Sequence, residues 1–518
     1  MHSNTSISAI DAHDYLKRIL LAPVYDVAVN TDLTHMNRLS LELGNQVWLK
    51  REDQQPVKSF KLRGAYNCIS QLSPAQLANG VVTASAGNHA QGVAFSANRK
   101  AVNATIVMPE TTPDIKIDAV KQFGGQFARV VLHGTSFDQA NQYARDLSAQ
   151  HGMTFIPPFD NQDVIAGQGT IARELLEQNP NIQRLFIAVG GGGLAAGIAV
   201  FLKQLKPEIK LIAVEAEESA CFKAALEAGK PVALPSVGIF ADGVAVKTIG
   251  IEPYRLCADL IDEVVTVSND EICAAIKDIF DDTRVIAEPA GALSIAAIRK
   301  YVNEHNVSNE ILGGILCGAN TNFHTLRYVS ERCELGENKE AVVAVKLPEH
   351  AGAFKRFCEV LGNRAITEFN YRFSSANEAH IFVGIRLKRG KEELTDLLKT
   401  LRADNYECFD LSDNELAKLH VRHMVGGRPA EKLNEHLFSF TFPEYPGALL
   451  AFLNTLGEKW NITLFHYRNH GAADGLVLCG FDLPDTSRPE FDRHLEKLNY
   501  RFEEQTDNDA YKFFLAGA

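Results

Sequence analysis

Two segments near the C-terminus repeat one another, and this repeat constrains the fold more than any other feature of the chain. Residues 346–362 (KLPEHAGAFKRFCEVLG) match residues 441–457 (TFPEYPGALLAFLNTLG), and FNYR at 369–372 matches FHYR at 465–468. Each copy has the pattern strand, helix, strand, strand, helix. An internal repeat of this kind predicts two tandem α+β modules. They would form either a structural or oligomerising appendage or a pair of ligand-binding modules.

Before the repeat, residues 40 to 330 alternate short apolar runs with helical patterns. The alternation predicts an α/β fold with a parallel sheet covered by helices on both faces. Ligands of such sheets bind where the strands end, and glycine-bearing runs lie at those points. The expected strands are Gln46–Leu49, Gly80–Ala84, Ala104–Met108, Phe127–Val131, Leu185–Val189, Lys210–Ala216 and Glu263–Val267.

Composition narrows the functional classes. The chain has 518 residues and a net charge of −12, which predicts two to four domains and disfavours a nucleic-acid partner. Nine cysteines without CxxC spacing disfavour a metal site and a disulfide framework, and they indicate reduced thiols in the cytoplasm. No signal peptide is visible. The uncharged stretch 185–202 has the length of a short membrane span, but four glycines interrupt it, so we expect no membrane segment.

Lys61 is the first candidate for chemistry. It lies in the run SFKLRGA, directly before a helical pattern. The positive end of a helix dipole disfavours the charged form of a lysine, and an uncharged amine can form a Schiff base with a carbonyl compound. A solvated surface lysine is the alternative interpretation.

Two loops offer backbone amides to an anion. SAGNHAQG, at residues 85–92, follows an apolar run and opens a helical stretch. The unpaired backbone N–H groups at such a helix start can bind a carboxylate or a phosphate, and the alternative interpretation is an ordinary helix cap. VGGGGLAAG, at 189–197, lies between a predicted strand and a helix, where glycine amides can enclose a phosphate. This second run also fits the dinucleotide fingerprint, with Glu215 as its acidic residue, so the loop alone leaves a nicotinamide cofactor open.

Taken together, the motifs resemble a known family. SFKLRGA, SAGNHAQG, VGGGGLAAG, AEPAGA (287–292) and CGAN (317–320) follow one another as in pyridoxal-phosphate enzymes of the tryptophan-synthase-β fold type. Within that type they resemble the threonine/serine dehydratases. With the doubled C-terminal module, the chain is similar to the long biosynthetic threonine dehydratases (threonine deaminases) of bacteria. The resemblance implies a three-layer catalytic domain over residues 1–330, with a smaller subdomain nested at about 53–155.

The resemblance also implies roles for individual residues around the cofactor, pyridoxal 5′-phosphate. Lys61 would hold the cofactor covalently and act as the base at the substrate Cα, and Phe60 would lie against the pyridine ring. Asn88 would donate to the 3′-oxygen. Cys317, where relatives often have serine, would face the ring nitrogen. The phosphate would be bound by the loop of Gly190, Gly191, Gly192, Gly193 and Leu194.

For the substrate, the resemblance implies that Ser85, Gly87 and His89 bind the carboxylate of L-threonine or L-serine. The products would be 2-oxobutanoate or pyruvate and ammonium. No metal site is expected.

The C-terminal modules, at 339–412 and 434–514, resemble ACT-like regulatory domains. The resemblance implies inhibition by isoleucine, activation by valine and a homotetramer. Tyr371 and Tyr467, equivalent in the repeat, are candidates for effector contact, with aromatic packing between modules as the alternative.

Two other functional classes remain at this point. A nicotinamide-dependent oxidoreductase would use the glycine run and Glu215, but it leaves Lys61, SAGNHAQG and CGAN without roles. An amino-acid sensor without catalysis would keep the repeats, but it does not explain the intact Lys61 and Asn88.

Overall fold

The chain divides into an N-terminal unit, Met1–Gly336, and a C-terminal unit, Glu337–Ala518. A computed structural model describes residues 9–348, 352–362, 364–373, 378–424, 433–443, 448–456, 460–468, 474–498 and 500–515. Parts of both repeat segments, residues 349–351, 444–447 and 457, lie outside the described residues.

Ten strands of the N-terminal unit form two sheets, as the alternating pattern predicts. The strands are β1 Leu33–His35, β2 Gln46–Arg51, β3 Val81–Ala84, β4 Ala104–Met108, β5 Ala128–Leu132, β6 Thr154–Phe155, β7 Arg184–Ala188, β8 Lys210–Ala216, β9 Glu263–Val267 and β10 Ile311–Leu316. The larger sheet has the order β1-β2-β10-β7-β8-β9, and the smaller one β5-β4-β3-β6. All neighbours are parallel except β1 and β2.

Helices surround these sheets. They are α1 Ala9–Leu21, α2 Asn37–Leu43, α3 Lys61–Ser70, α4 Pro74–Asn79, α5 Asn88–Lys100, α6 Asp114–Gly124, α7 Phe137–His151, α8 Gln162–Gln178, α9 Gly193–Leu205, α10 Cys221–Ala228, α11 Ile251–Leu260, α12 Asn269–Thr283, α13 Pro289–His305 and α14 Thr325–Gly336. The uncharged stretch 185–202 is strand β7, the glycine loop and the buried start of α9. Among the described residues, no helix is long and apolar enough to cross a membrane.

Most of the predicted strands are found within one or two residues of their expected ends. The fifth strand is displaced from Phe127–Val131 to Ala128–Leu132, because Gly125–Phe127 forms a 3-10 turn before it. The short strands β1 and β6 carry no sequence signal that separates them from loops. The carboxyl ends of β3, β7 and β10 lead directly into the SAGNHAQG, VGGGGLAAG and CGAN runs.

The C-terminal unit contains one eight-stranded antiparallel sheet, to which both repeats contribute. Its strands are β11 Glu340–Pro348, β12 Ile366–Arg372, β13 Glu378–Arg386, β14 Glu407–Asp410, β15 Glu435–Pro443, β16 Asn461–Arg468, β17 Asp474–Asp482 and β18 Arg501–Glu504, in the order β14-β11-β13-β12-β16-β17-β15-β18. Its helices are α15 Ala353–Leu361, α16 Gly390–Ala403, α17 Glu415–Leu419, α18 Ala448–Leu456, α19 Arg488–Leu498 and α20 Asp509–Phe514.

The repeats join through their equivalent strands, β12 and β16. Asn370 pairs with His466, Phe369 with Tyr467 and Tyr371 with Phe465. Three residues of the first repeat therefore face the three equivalent residues of the second in reverse order, which gives the sheet an approximate twofold arrangement. The tandem modules thus share one sheet and one apolar core.

Candidate active site

Lys61 is the first residue of α3, and it lines a cavity in the N-terminal unit. Burial lowers the pKa of its amine, while the negative charge of Glu288 partly opposes this shift. Its Nζ lies 5.7 Å from the centroid of the Phe60 ring. The Phe60 N–H donates to the Cys317 carbonyl oxygen at 3.2 Å, so the Lys61 segment is joined to the end of β10.

The glycine loop, Gly190 to Gly193, lines the same cavity together with Leu194. It connects β7 to the N-terminus of α9, where the first helical N–H groups have no partner within the helix. A Cβ atom at Gly191 would overlap the ring of Phe159, so this approach of backbone to ring requires glycine. The loop and the helix dipole together suit a phosphate group.

Asn88, at the start of α5, is held by two partners. Its Nδ2 donates to Glu288 Oε1 at 2.7 Å, and its Oδ1 accepts from Asn320 Nδ2 at 2.8 Å. The Asn320 backbone N–H also donates to Glu288 Oε2 at 3.1 Å. These three residues come from distant parts of the chain, and their contacts fix the Asn88 amide at the cavity wall.

Glu288 is the main site residue whose role the sequence does not reveal. Its side chain is 4% exposed and lines the cavity. Burial, together with the charge of Asp242, raises its pKa to about 7. The only sequence signal is its place in AEPAGA, where an acid precedes the proline that opens α13. Other cavity residues without a sequence signal are Pro158, Phe159, Gln168, Gly243 and Val244.

Cys317 follows β10 and is buried at the cavity wall. Its Sγ lies 3.7 Å from the Ile315 carbonyl oxygen, and burial raises the pKa of the thiol. A neutral thiol therefore stands at this position. All nine cysteines are buried, and none of them forms a disulfide.

Three predicted substrate residues lie at the start of α5 but do not line this cavity. The Ser85 Oγ accepts from the Gly87 N–H at 3.2 Å. His89 is 3% exposed, and its Nε2 donates to the Ile156 carbonyl oxygen at 3.0 Å. Burial and the charge of Lys61 lower the pKa of His89 to about 3, so the imidazole is neutral. Any contact of this segment with a substrate would therefore use Ser85 or the backbone.

Glu215 does not fit the role that a dinucleotide site requires. Its side chain is fully buried, and its two oxygens accept from the Phe222 and Lys223 N–H groups at 2.7 and 2.9 Å. It therefore caps α10 rather than facing a ribose. Among the residues that the structure describes, no group of three or more His, Cys, Asp or Glu could hold a metal ion.

The cavity fits pyridoxal phosphate by the chemistry of its walls. An amine of lowered pKa, a glycine cradle at a helix N-terminus, a fixed amide and a neutral thiol surround one space. The amine suits a carbonyl carbon, and the cradle suits a phosphate. A nicotinamide dinucleotide would leave the amine without a function.

Two family models match the chain. "Pyridoxal-phosphate dependent enzyme" matches residues 24–318, and "C-terminal regulatory domain of Threonine dehydratase" matches residues 331–421 and 426–515. The resemblance, fold class and cofactor expected from the motifs are thereby confirmed.

Similar proteins span almost the whole chain. A biosynthetic L-threonine dehydratase of Escherichia coli is 58% identical and covers 98% of each sequence. The mitochondrial threonine dehydratase of Saccharomyces cerevisiae is 45% identical, over 99% of this chain and 92% of its own. The solved structure of the processed form of threonine deaminase isoform 2 from Solanum lycopersicum is 48% identical, covers 64% of this chain and 95% of its own, and has a TM-score of 0.62. The chain therefore belongs to the pyridoxal-phosphate-dependent threonine dehydratases that carry a C-terminal regulatory domain.

Proposed function

We propose that the protein deaminates L-threonine, and also L-serine, by α,β-elimination to 2-oxobutanoate or pyruvate and ammonium. The observation that carries this proposal is the Lys61 amine, whose pKa is lowered, in one cavity with the glycine loop. The similar biosynthetic dehydratases support threonine as the substrate.

Pyridoxal phosphate, when bound, supplies an electron sink that acidifies the Cα proton of an amino acid. Gly190 to Leu194 would hold its phosphate, Asn88 its 3′-oxygen and Phe60 one face of its ring. Cys317 would face the ring nitrogen as a neutral group. Because a thiol of raised pKa cannot hold that nitrogen protonated as a carboxylate would, we expect elimination rather than transamination.

Lys61 provides both the anchoring amine and the base at Cα. A buried amine is neutral at lower pH than an exposed one, so Nζ can accept the Cα proton. The resulting ammonium is stabilised by the charge of Glu288 when that carboxyl is ionised. Ser85, Gly87 and the His89 backbone would receive the substrate carboxylate at the N-terminus of α5.

The regulatory part of the proposal concerns the C-terminal unit. We expect isoleucine to inhibit and valine to oppose it, as feedback on the committed step of isoleucine synthesis. A pocket in this unit supports a branched aliphatic effector through its apolar wall, to which Leu347, Phe354, Tyr371, Trp460 and Ile462 contribute. The Tyr371 ring lies 5.6 Å from the Phe354 ring of its own module, between centroids, and Tyr371 pairs with Phe465 of the other module, so aromatic packing between modules stays open as the alternative.

Tyr467 is not among the residues that line this cavity, and it lies opposite Phe369 in the sheet. We retain it as an effector candidate through its equivalence to Tyr371. We also expect a homotetramer in the cytoplasm, and nine buried cysteines without a disulfide are consistent with that reducing compartment.

The direct test measures 2-oxobutanoate and ammonium from threonine, and pyruvate from serine, with the purified protein. We expect turnover with the cofactor and loss of at least about 10³-fold in Lys61→Ala, because the base and the anchor are removed together. Lys58→Ala, a nearby lysine outside the cavity lining, is the control. Normal turnover by Lys61→Ala would refute the assignment.

A further inference from the structure

A cluster of four charged side chains lies beneath the first turn of α3. We call Lys50, Glu52, Arg63 and Glu174 the buried quartet. Each side chain is fully shielded from solvent, with an exposure of 0%. The quartet joins three elements. Lys50 lies on β2 and Glu52 directly follows that strand, while Arg63 lies on α3 and Glu174 on α8. It carries two positive and two negative charges and is therefore neutral.

Arg63 is the centre of the quartet. It binds Glu52 with two parallel hydrogen bonds, from Nε and Nη2, each 2.8 Å long. It binds Glu174 from Nη1 at 2.5 Å and from Nη2 at 3.0 Å. It also donates to Thr170 Oγ1 at 3.1 Å and to the Val29 carbonyl oxygen at 3.2 Å. A planar guanidinium can make this set of contacts, and an ammonium cannot.

The remaining charges are also satisfied. The Lys50 Nζ reaches Glu174 Oε2 and the Thr31 carbonyl oxygen, both at 2.6 Å. Glu52 accepts from Thr31 Oγ1 at 2.7 Å, and Glu174 accepts from Tyr25 Oη at 2.8 Å. A buried charge cluster with complete hydrogen bonding is directional, so it fixes one arrangement of the elements that carry it.

The backbones of α3 and α8 touch directly beside the quartet. A Cβ atom at Gly167 would lie 2.6 Å from the Arg63 carbonyl oxygen and 2.7 Å from Gly64 Cα. The Gly64 N–H donates to Gln168 Oε1 at 3.2 Å, and Gln168 lines the cavity. α8 in turn packs along α9, which begins at the glycine loop. One packed path therefore connects Arg63 to the glycine loop.

We propose that Arg63 is a positioning residue for Lys61: through the buried quartet it fixes the first turn of α3 on α8, and so sets where the Lys61 amine stands relative to the glycine loop. Lys61 is two residues before Arg63, and a displacement of that turn moves its amine. The inference rests on the proposed function, because it concerns the reach of Lys61 to a cofactor held at the loop.

The test compares Arg63→Lys with the wild-type protein. Lysine keeps the charge but loses the bidentate contacts. We measure the rate at which the visible absorbance of the lysine-bound cofactor develops after pyridoxal phosphate is added to cofactor-free protein. We expect this rate to fall roughly 10- to 100-fold, as for a reacting group displaced by about 1 Å. We expect kcat for threonine to fall in parallel, with KM changed by less than about threefold.

Arg299→Lys is the matched control. Arg299 also makes a bidentate contact, to Asp278 at 2.9 and 3.0 Å, and reaches Glu42 at 2.8 Å, but it lies outside the cavity lining. We expect it to lower the melting temperature without slowing capture of the cofactor. Equal capture rates in Arg63→Lys and wild type would overturn the inference, and so would equal slowing in Arg299→Lys.

A second variant serves if Arg63→Lys does not fold. Thr170→Val removes one Arg63 contact, and the Thr170 Oγ1 also donates to the Gly167 carbonyl oxygen at 2.7 Å. We expect the rate of cofactor capture to be about two- to fivefold lower than in the wild type. An unchanged rate would overturn the inference. A wild-type protein that never forms the lysine-bound cofactor would instead contradict the proposed function, so the two failures are distinguishable.

Discussion

At the residue scale, burial shifts the pKa values of two ionisable groups that line the cavity. It lowers the pKa of Lys61 and raises that of Glu288 to about 7. Water would stabilise both charged forms, and the cavity wall does not. Glu288 keeps hydrogen bonds from Asn88 and Asn320, which limit its shift. Lys61 is thereby prepared as a base, and Glu288 carries a proton through part of the mildly acidic range.

Glu288→Gln should change the dependence of stability on pH. Between pH 4.5 and about 7 the folded protein holds a proton on Glu288 that the unfolded chain has released. The free energy of unfolding of the wild type therefore falls as pH rises through this window, by up to about 3 kcal/mol from this group. Glutamine does not titrate, so the variant should lack that part of the fall.

Urea unfolding at several pH values measures this difference. Glu304→Gln, an exposed residue of α13, should keep the wild-type slope. If the curve of Glu288→Gln ran parallel to that of the wild type, the raised pKa of Glu288 would be wrong.

At the element scale, the cavity is built where strands of two parallel sheets end. The glycine loop follows β7, Cys317 follows β10 and Asn88 lies in the run that follows β3. The loop approaches Phe159 so closely that a methyl group at Gly191 has no room, whereas a Cβ at Gly87 would meet nothing within 4 Å. The two glycine positions therefore differ in what they tolerate.

Gly191→Ala should weaken cofactor binding. Overpacking typically costs about 1–3 kcal/mol, which corresponds to a rise of roughly 5- to 140-fold in the dissociation constant for pyridoxal phosphate. Gly87→Ala should leave that constant within about threefold and raise the KM for threonine, since its loop is expected to receive the substrate. Fluorescence titration with the cofactor measures the first effect. Equal affinities in the two variants would contradict the proposed phosphate cradle.

The sequence predicts those parts of the site that lie in one local motif. Lys61, the glycine loop and Cys317 each lie within a recognisable sequence motif, and all three line one cavity. Glu288, Gln168 and Phe159 reach the cavity from separate elements, so only the packing of those elements reveals them. His89 lies in a local motif but does not reach the cavity, because its ring is buried and donates to the Ile156 carbonyl oxygen.

At the scale of the whole molecule, catalysis and control are assigned to different units. Lys61 and the glycine loop lie in Met1–Gly336, and the cavity at Tyr371 lies in Glu337–Ala518. The repeat predicts two similar modules, but only the pairing of β12 with β16 shows that they form one sheet. That pairing joins residues nearly 100 positions apart, which no local pattern encodes.

Removal of residues 337–518 should separate the two roles. We expect the shortened protein to retain measurable threonine turnover and to lose inhibition by isoleucine, because the proposed effector cavity is removed. Initial rates with and without isoleucine, and with valine added, measure both effects. Inhibition that persists would place the effector site within residues 1–336.

The residue that binds the cofactor can be identified directly by chemical trapping. The protein is incubated with pyridoxal phosphate, reduced with borohydride and digested, and the modified peptide is identified by mass spectrometry. We expect one stably modified peptide, with the cofactor on Lys61. Modification at another lysine, with Lys61 unmodified, would contradict it.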